Sequence, residues 1–250
     1  MWPNLPTPIV IAHRGDNTHA PENTLAAFKL AADKGADAIE FDAKLTRDGH
    51  VIIIHDQTVD RTTNGHGEVR RMSFGALRDL DAGTLFPGRF PGEKIPTLEE
   101  IFETVGKRLY INVELTNYAT PFDALVPEVV KIVKAFGLEK RVLFSSFFAH
   151  NLVKARKLLP EVPCGLLTWS NWMGKWGRTT GYRRDTYAAL HPNIVNVDAG
   201  LVSRVHAAGK RLNVWTVNGE ENLKRMIGCG VDGIFTDDPA LALELLGRKS

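Results

Sequence analysis

Eight times along the chain a short apolar run of strand length gives way to a stretch with apolar residues at helical spacing, and this alternation constrains the fold most. The strand-like runs are residues 9–12, 38–44, 109–115, 142–145, 164–168, 194–197, 212–217 and 233–235. After the first, Leu25, Phe28, Leu30 and Ala31 recur at helical spacing until Gly35. Thr97-Leu-Glu-Glu100 is a capping-box pattern opening a helix with Leu98, Ile101, Phe102 and Val105 on one side. Asn218-Gly-Glu-Glu221 reads as the cap of a later helix, and residues 184–190 as a short helix. Alternating β and α over 250 residues predicts an α/β fold, a (β/α)8 TIM barrel, with a doubly wound open sheet as the alternative.

Two stretches break the rhythm. Residues 51–54 form an extra apolar run behind the Arg47-Asp48-Gly49 turn, and residues 56–96 are rich in Gly, Arg and Thr with weak periodicity outside 73–80. A connection that long predicts a functional insertion over one end of the barrel, within a single domain spanning residues 1–250. Residues 169–184, with three tryptophans and several cations, read as a loop.

Composition excludes several classes. Hydrophobic residues at 44% and charged residues at 24% describe a soluble globular chain with a large core. A net charge of +2, with Lys and Arg spread along the sequence, gives no nucleic-acid footprint. No stretch approaches the roughly 18 apolar residues of a spanning helix, and the N-terminal residues lack a basic and an apolar leader region, so a cytoplasmic location is expected. Cys164 and Cys229 have no metal-ligand spacing and read as buried thiols. Nothing in the sequence fixes an oligomeric state.

The chemistry gathers at strand ends. In Ala38-Ile-Glu-Phe-Asp-Ala-Lys44 acidic and apolar residues alternate, so an extended strand puts Glu40, Asp42 and Lys44 on one face. Glu114 is a third carboxylate on a strand whose Tyr110 and Asn112 share its face. His13-Arg14 closes the first apolar run, and His55 closes the run at 51–54. Active sites of such barrels lie at the C-terminal strand ends, where all of these fall. Three carboxylates favour a hard divalent cation, Ca2+ or Mg2+, over Zn2+. Two imidazoles suit a reaction that removes a proton from a nucleophile and gives one to a leaving group, and a guanidinium matches phosphate, which together describe phosphodiester hydrolysis. His19, His50, His66, His150, His191 and His206 read as core or surface residues.

His13-Arg14-Gly15, Pro21-Glu22-Asn23-Thr24, Glu40-Phe-Asp42, Thr46-Arg-Asp48-Gly49, His55-Asp56, Arg61-Thr-Thr63, Pro96-Thr-Leu98 and Thr236-Asp237-Asp238-Pro239 together form an ordered set over nearly the whole chain. The set resembles the signature of glycerophosphodiester phosphodiesterases. The resemblance implies a TIM barrel with a small insertion after the His-Asp motif and a small-molecule glycerophosphodiester substrate. It also implies His13 and His55 as general acid and base, Glu40, Asp42 and Glu114 as metal ligands, and Arg14 as the phosphate-binding arginine. In the same terms Trp215 and Phe147 line the substrate. Asp237 and Asp238 are expected to cap the last helix, Glu22 and Asn23 to fix the first loop, and Asp56 to orient its neighbourhood.

One position departs from the pattern. The family commonly has lysine two residues after its third acidic ligand, and here that position is Thr116. Lys44, Lys175 and Arg178 are the candidates to replace that charge. Two other readings stay open at this stage: a lysophospholipase D-like activity, for which the loop with Trp169, Trp172, Met173 and Trp176 offers an apolar entrance, and a catalytically silent binding module.

Overall fold

The computed structural model describes residue 2 and residues 5–248. Its strands and helices alternate as β1 (Ile9–His13), α1 (Leu25–Asp33), β2 (Ala38–Leu45), β3 (Val51–Ile53), α2 (Phe74–Arg78), α3 (Leu98–Val105), β4 (Tyr110–Leu115), α4 (Leu125–Phe136) and β5 (Val142–Ser146). There follow α5 (Ala149–Leu158), β6 (Cys164–Thr168), α6 (Lys175–Thr179), β7 (Ala189–Pro192), α7 (Ala199–Ala207), β8 (Arg211–Val214), α8 (Glu220–Gly228), β9 (Gly233–Thr236) and α9 (Pro239–Leu245). Eight strands pair in parallel in the order β1-β9-β8-β7-β6-β5-β4-β2, and β1 also pairs with β2, which closes the barrel. The fold is the (β/α)8 barrel that the alternation predicts. The extra run becomes β3, antiparallel to β2 at its outer end, with Lys44 opposite Ile52.

Alternation within each strand sorts the core into two shells. Ile39, Phe41, Ala43, Val113 and Phe144 point outward and pack under the helices with Phe28, Ile101 and Val129. Each of the larger of these side chains, fully buried, contributes about 1.5–3 kcal/mol. The inward side chains Ile9, Ile11, Ala38, Leu143 and Phe235 plug the N-terminal end of the lumen, closed from below by Trp2. Polar groups fill the middle of the barrel: Asn112 donates to Ser145 Oγ (2.8 Å), and Asn213 donates to His191 Nε2 (3.0 Å). A Cβ on Gly165 would stand 2.3 Å from the His191 ring, so only glycine leaves the imidazole room.

Helix starts follow the sequence, with one exception. Thr24 accepts from Ala27 N, and Thr97 and Glu100 close the capping box reciprocally. Asp238 accepts from Leu241 N at the start of α9, where Pro239 needs no backbone donor. Asn218, however, does not cap α8; Gly219 occupies that place with no side-chain bond. Residues 54–97, which carry α2, fold over Ile52, Ile54, Val59, Val69 and Leu77 as a small cluster of their own.

Two expectations fail between β6 and α7. No helix forms at 184–190, and the strand there is Ala189–Pro192 rather than 194–197, where Ile194–Asn196 form a 3-10 turn capped by the Asn193 side chain, which accepts from Val195 N. The true strand is short, ends in proline and carries a buried histidine, so its apolar signal is weaker than that of Ile194-Val195-Asn196-Val197 beyond it. The region read as a loop contains α6 and two 3-10 turns. Cys164 is buried as expected, but Cys229 is only half-buried.

Burial pushes the His191 imidazole down to about 3 from 6.5. Between those values the unfolded chain binds the proton that the folded chain refuses, so stability falls as pH drops from 6.5 toward 3. The slope from this one group is at most roughly 1.4 kcal/mol per pH unit. His191→Gln should therefore flatten the dependence of denaturation midpoint on pH over that window; parallel curves for variant and parent would remove His191 from the acid response.

Candidate active site

Barrel register brings the acidic residues together. β1 pairs with β2 so that His13 stands opposite Glu40, and β2 pairs with β4 so that Glu40 stands opposite Asn112 and Asp42 opposite Glu114. Glu40, Asp42 and Glu114 each offer an oxygen within 4.8 Å of the others. These residues share a cleft of about 420 Å3 with His13, Arg14, His55, Phe147 and Trp215, so every predicted site residue lines one hollow. A second, more open hollow shares Asp42, His55, Glu114 and Phe147 and continues over Asp56, Gln57, Thr58 and Tyr118.

Electrostatics in this cluster are unbalanced. Burial first, then the charges of Asp42 and Glu114, push Glu40 well above the ordinary carboxylate range. Burial and Asp42 likewise push Glu114 up to about 8, although Tyr118 donates to it at 2.7 Å. Burial opposes the ionisation of Asp42 as well, but there Arg14, His55 and Lys44, with the Asn23 amide, together outweigh it and hold the group below its usual value. Two buried carboxylates and a half-buried third so close need more positive charge than Arg14 supplies, and an all-oxygen donor set suits a hard divalent cation. The residues fit such an ion.

Arg14 is held in a frame. Its backbone N donates to Glu40 O (2.9 Å), its Nη1 donates to Glu22 Oε1 (2.9 Å), and its Nε lies 3.3 Å from Asp42 Oδ2. It sits at φ 58°, in the left-handed region, as does Asn23, whose amide donates to Asp42 Oδ2 (3.0 Å). Arg61 grips Glu22 through both carboxylate oxygens (2.6 and 2.9 Å) and also donates to Asp56 (2.7 Å). Glu22 thus fixes the first loop, as expected, by linking two guanidinium groups.

Both candidate histidines are tethered in the same way. His55 Nδ1 donates to Asp56 Oδ1 (2.6 Å), and His13 Nδ1 donates to Asp237 Oδ1 (2.7 Å). Burial works against the ionisation of Asp56, yet Arg61 and His55 hold it at about 2. The same balance, with Asn17 and Asn218 adding donors, keeps Asp237 below the ordinary range. A carboxylate on Nδ1 leaves Nε2 of each ring as the basic nitrogen. Asp237 is therefore a partner of His13, not a helix cap, and Asn218 serves Asp237 rather than α8. Barrel closure was the available signal: β9 lies beside β1, so a residue just after β9 meets a residue ending β1.

At the departing position, Lys44 Nζ donates to Thr116 Oγ1 (2.8 Å) and Thr116 O (3.3 Å). Burial lowers this ammonium, while Asp42 and Glu114 pull against that shift. Arg178 turns instead to the carbonyls of its own loop, at Trp169 and Asn171, and Lys175 is exposed on α6. Phe147 stacks on Trp169 (4.8 Å) and meets Trp215 edge-on (5.5 Å), and Trp215 Nε1 is anchored on His191 O (2.8 Å).

The sequence profile of the glycerophosphoryl diester phosphodiesterase family matches residues 13–241. The chain belongs to that family. It is 42% identical to a glycerophosphodiester phosphodiesterase of Caldanaerobacter subterraneus, over 96% of this chain and 98% of that one. Among solved structures, an Oleispira antarctica phosphodiesterase in complex with the product sn-glycerol-3-phosphate is 31% identical with a TM-score of 0.83, covering 96% of this chain and 97% of that one. A glycerophosphodiester phosphodiesterase from Agrobacterium tumefaciens is 28% identical with a TM-score of 0.81, covering 94% and 99%.

Charge in the acidic cluster is measurable through stability. With Glu114 raised from 4.5 to about 8, the folded metal-free protein keeps a proton that the unfolded chain has lost, so this group costs stability as pH rises across that range. In EDTA, Glu114→Gln should raise the thermal midpoint more at pH 8.5 than at pH 5, since the amide cannot ionise. An offset independent of pH would show that Glu114 ionises freely in the folded state.

Proposed function

We infer that the chain hydrolyses glycerophosphodiesters to an alcohol and sn-glycerol 3-phosphate by histidine acid–base chemistry at a divalent metal site. The observation that carries this reading is the pair of imidazoles, each tethered by a carboxylate at Nδ1, lining one cleft with the acidic cluster. Among the relatives, the Oleispira structure holding sn-glycerol-3-phosphate supports the product. The metal, Ca2+ or Mg2+, would be held by Glu40, Asp42 and Glu114. When bound it supplies Lewis-acid polarisation of the phosphate.

The protein's own groups do the rest. Arg14, with Nη1 fixed by Glu22 and its guanidinium beside Asp42, offers its remaining N–H groups to a phosphate oxygen and stabilises charge gathering on the equatorial oxygens. One imidazole takes a proton at Nε2 from the nucleophile, either water or the glycerol 2-hydroxyl, and the other gives its proton to the leaving alkoxide. Asp56 and Asp237 hold the tautomer each step needs and balance the imidazolium that forms. Lys44, anchored on Thr116, supplies the positive charge that the family pattern carries two residues after Glu114. Phe147 and Trp215 form the apolar wall against which the glycerol carbons lie, and the open hollow over Gln57 and Thr58 takes the alcohol. The whole chain works as one catalytic unit, with residues 56–96 as an accessory insertion that carries Arg61 to Glu22.

Glycerophosphocholine should turn over with added Ca2+ or Mg2+ and stop in EDTA, with His13→Ala and His55→Ala each lowering kcat about 100-fold or more. A transient cyclic phosphate would assign the 2-hydroxyl as nucleophile. Hydrolysis of lysophosphatidylcholine but not of the diester would replace this substrate with a lysolipid, and metal-independent turnover would remove the acidic cluster from catalysis.

A further inference from the structure

The rim of the barrel mouth is divided. The loops after β1, β2 and β9 present the polar groups of the catalytic cleft, whereas those after β4, β6 and β7 carry large apolar side chains left in water. Phe122 is 88% exposed, Trp172 81% and Val195 72%, with Met173 and Trp176 also exposed. Because β4, β5, β6 and β7 are consecutive neighbours in the barrel, the loops that carry these side chains lie on one side of the mouth, an arc of the rim. Isolated exposed apolar residues need no explanation, but an arc of aromatic side chains on one rim does.

Charge on the arc says what it meets. The β6–β7 connection, residues 169–188, contains Lys175, Arg178, Arg183 and Arg184 against a single carboxylate, Asp185. Lys175, Arg183 and Arg184 are exposed, and the Arg184 guanidinium lies 5.2 Å from the Trp176 ring centroid. Tryptophan flanked by cations suits the headgroup level of a bilayer, where the ring enters the acyl boundary and the cation meets a phosphate. A purely apolar partner would leave three cations desolvated.

We propose that the β4–β7 arc of the barrel mouth is a docking surface for an anionic phospholipid bilayer, with Trp172 as the inserting side chain and Lys175, Arg183 and Arg184 as the headgroup contacts. The docking is peripheral, since among the described residues no helix is long and apolar enough to cross a membrane. It goes beyond the catalytic reading and stands without it, because binding is measured with no turnover.

The test is co-sedimentation of the full chain with vesicles of phosphatidylglycerol and phosphatidylcholine in equal parts, against vesicles of phosphatidylcholine alone. Expected is binding to the anionic vesicles that weakens when salt is raised from about 0.05 to about 0.5 M, with partition at least ~10-fold lower for Trp172→Ser and for Lys175→Glu. Both side chains are exposed, so an unchanged thermal midpoint checks that each variant folds. Equal binding to neutral vesicles, no loss in either folded variant, or no sedimentation with any vesicle would overturn the proposal. So would concentration-dependent dimerisation abolished by Trp172→Ser, which would assign the arc to a second copy of the chain.

Discussion

Repulsion among three carboxylates crowded into the barrel mouth is the constraint from which the rest of the site follows. Glu40 and Asp42 come from one strand and Glu114 from the neighbour paired with it, so parallel register alone sets their spacing. Burial gives them little water for compensation, and the surroundings respond: Arg14 is drawn in among them in a left-handed backbone conformation, Asn23 donates to Asp42, and Tyr118 donates to Glu114. A site held so far from electrical balance is poised for a cation, and cation binding must displace the proton that burial and Asp42 keep on Glu114 up to about pH 8.

A second layer of ion pairs keeps the two imidazoles from drifting. Glu22 joins Arg14 to Arg61, Arg61 joins Glu22 to Asp56, and Asp56 holds His55, so one continuous network runs from the Arg14 guanidinium to one histidine. His13 depends on a separate anchor, Asp237, itself fixed by Asn17 and Asn218. The two histidines thus share a chemical arrangement built from unrelated parts of the chain, one local and one made by closing the barrel.

That difference explains what the sequence makes legible. Asp56 is adjacent to His55, and its orienting role follows from proximity; Asp237 is 224 residues from His13, and its role needs the β1–β9 contact. Alternation reveals seven of the eight parallel strands because their apolar runs are strong. It misplaces β7, where a proline and a buried histidine interrupt the pattern and an apolar 3-10 turn follows. The polar residues that line the cleft are readable because they stand out against apolar strand ends. Thr116 is readable only as a departure; that Lys44 bonds to it depends on side-chain direction within the sheet, which spacing suggests but does not fix.

Occupancy of the acidic cluster tests the account most directly. Isothermal titration of metal-free protein with Ca2+ or Mg2+ should show one ion per chain, with proton release that grows as pH falls below about 8, and Asp42→Asn should abolish binding while the fold persists. Binding that survives Asp42→Asn unchanged, or that releases no protons at neutral pH, would contradict it.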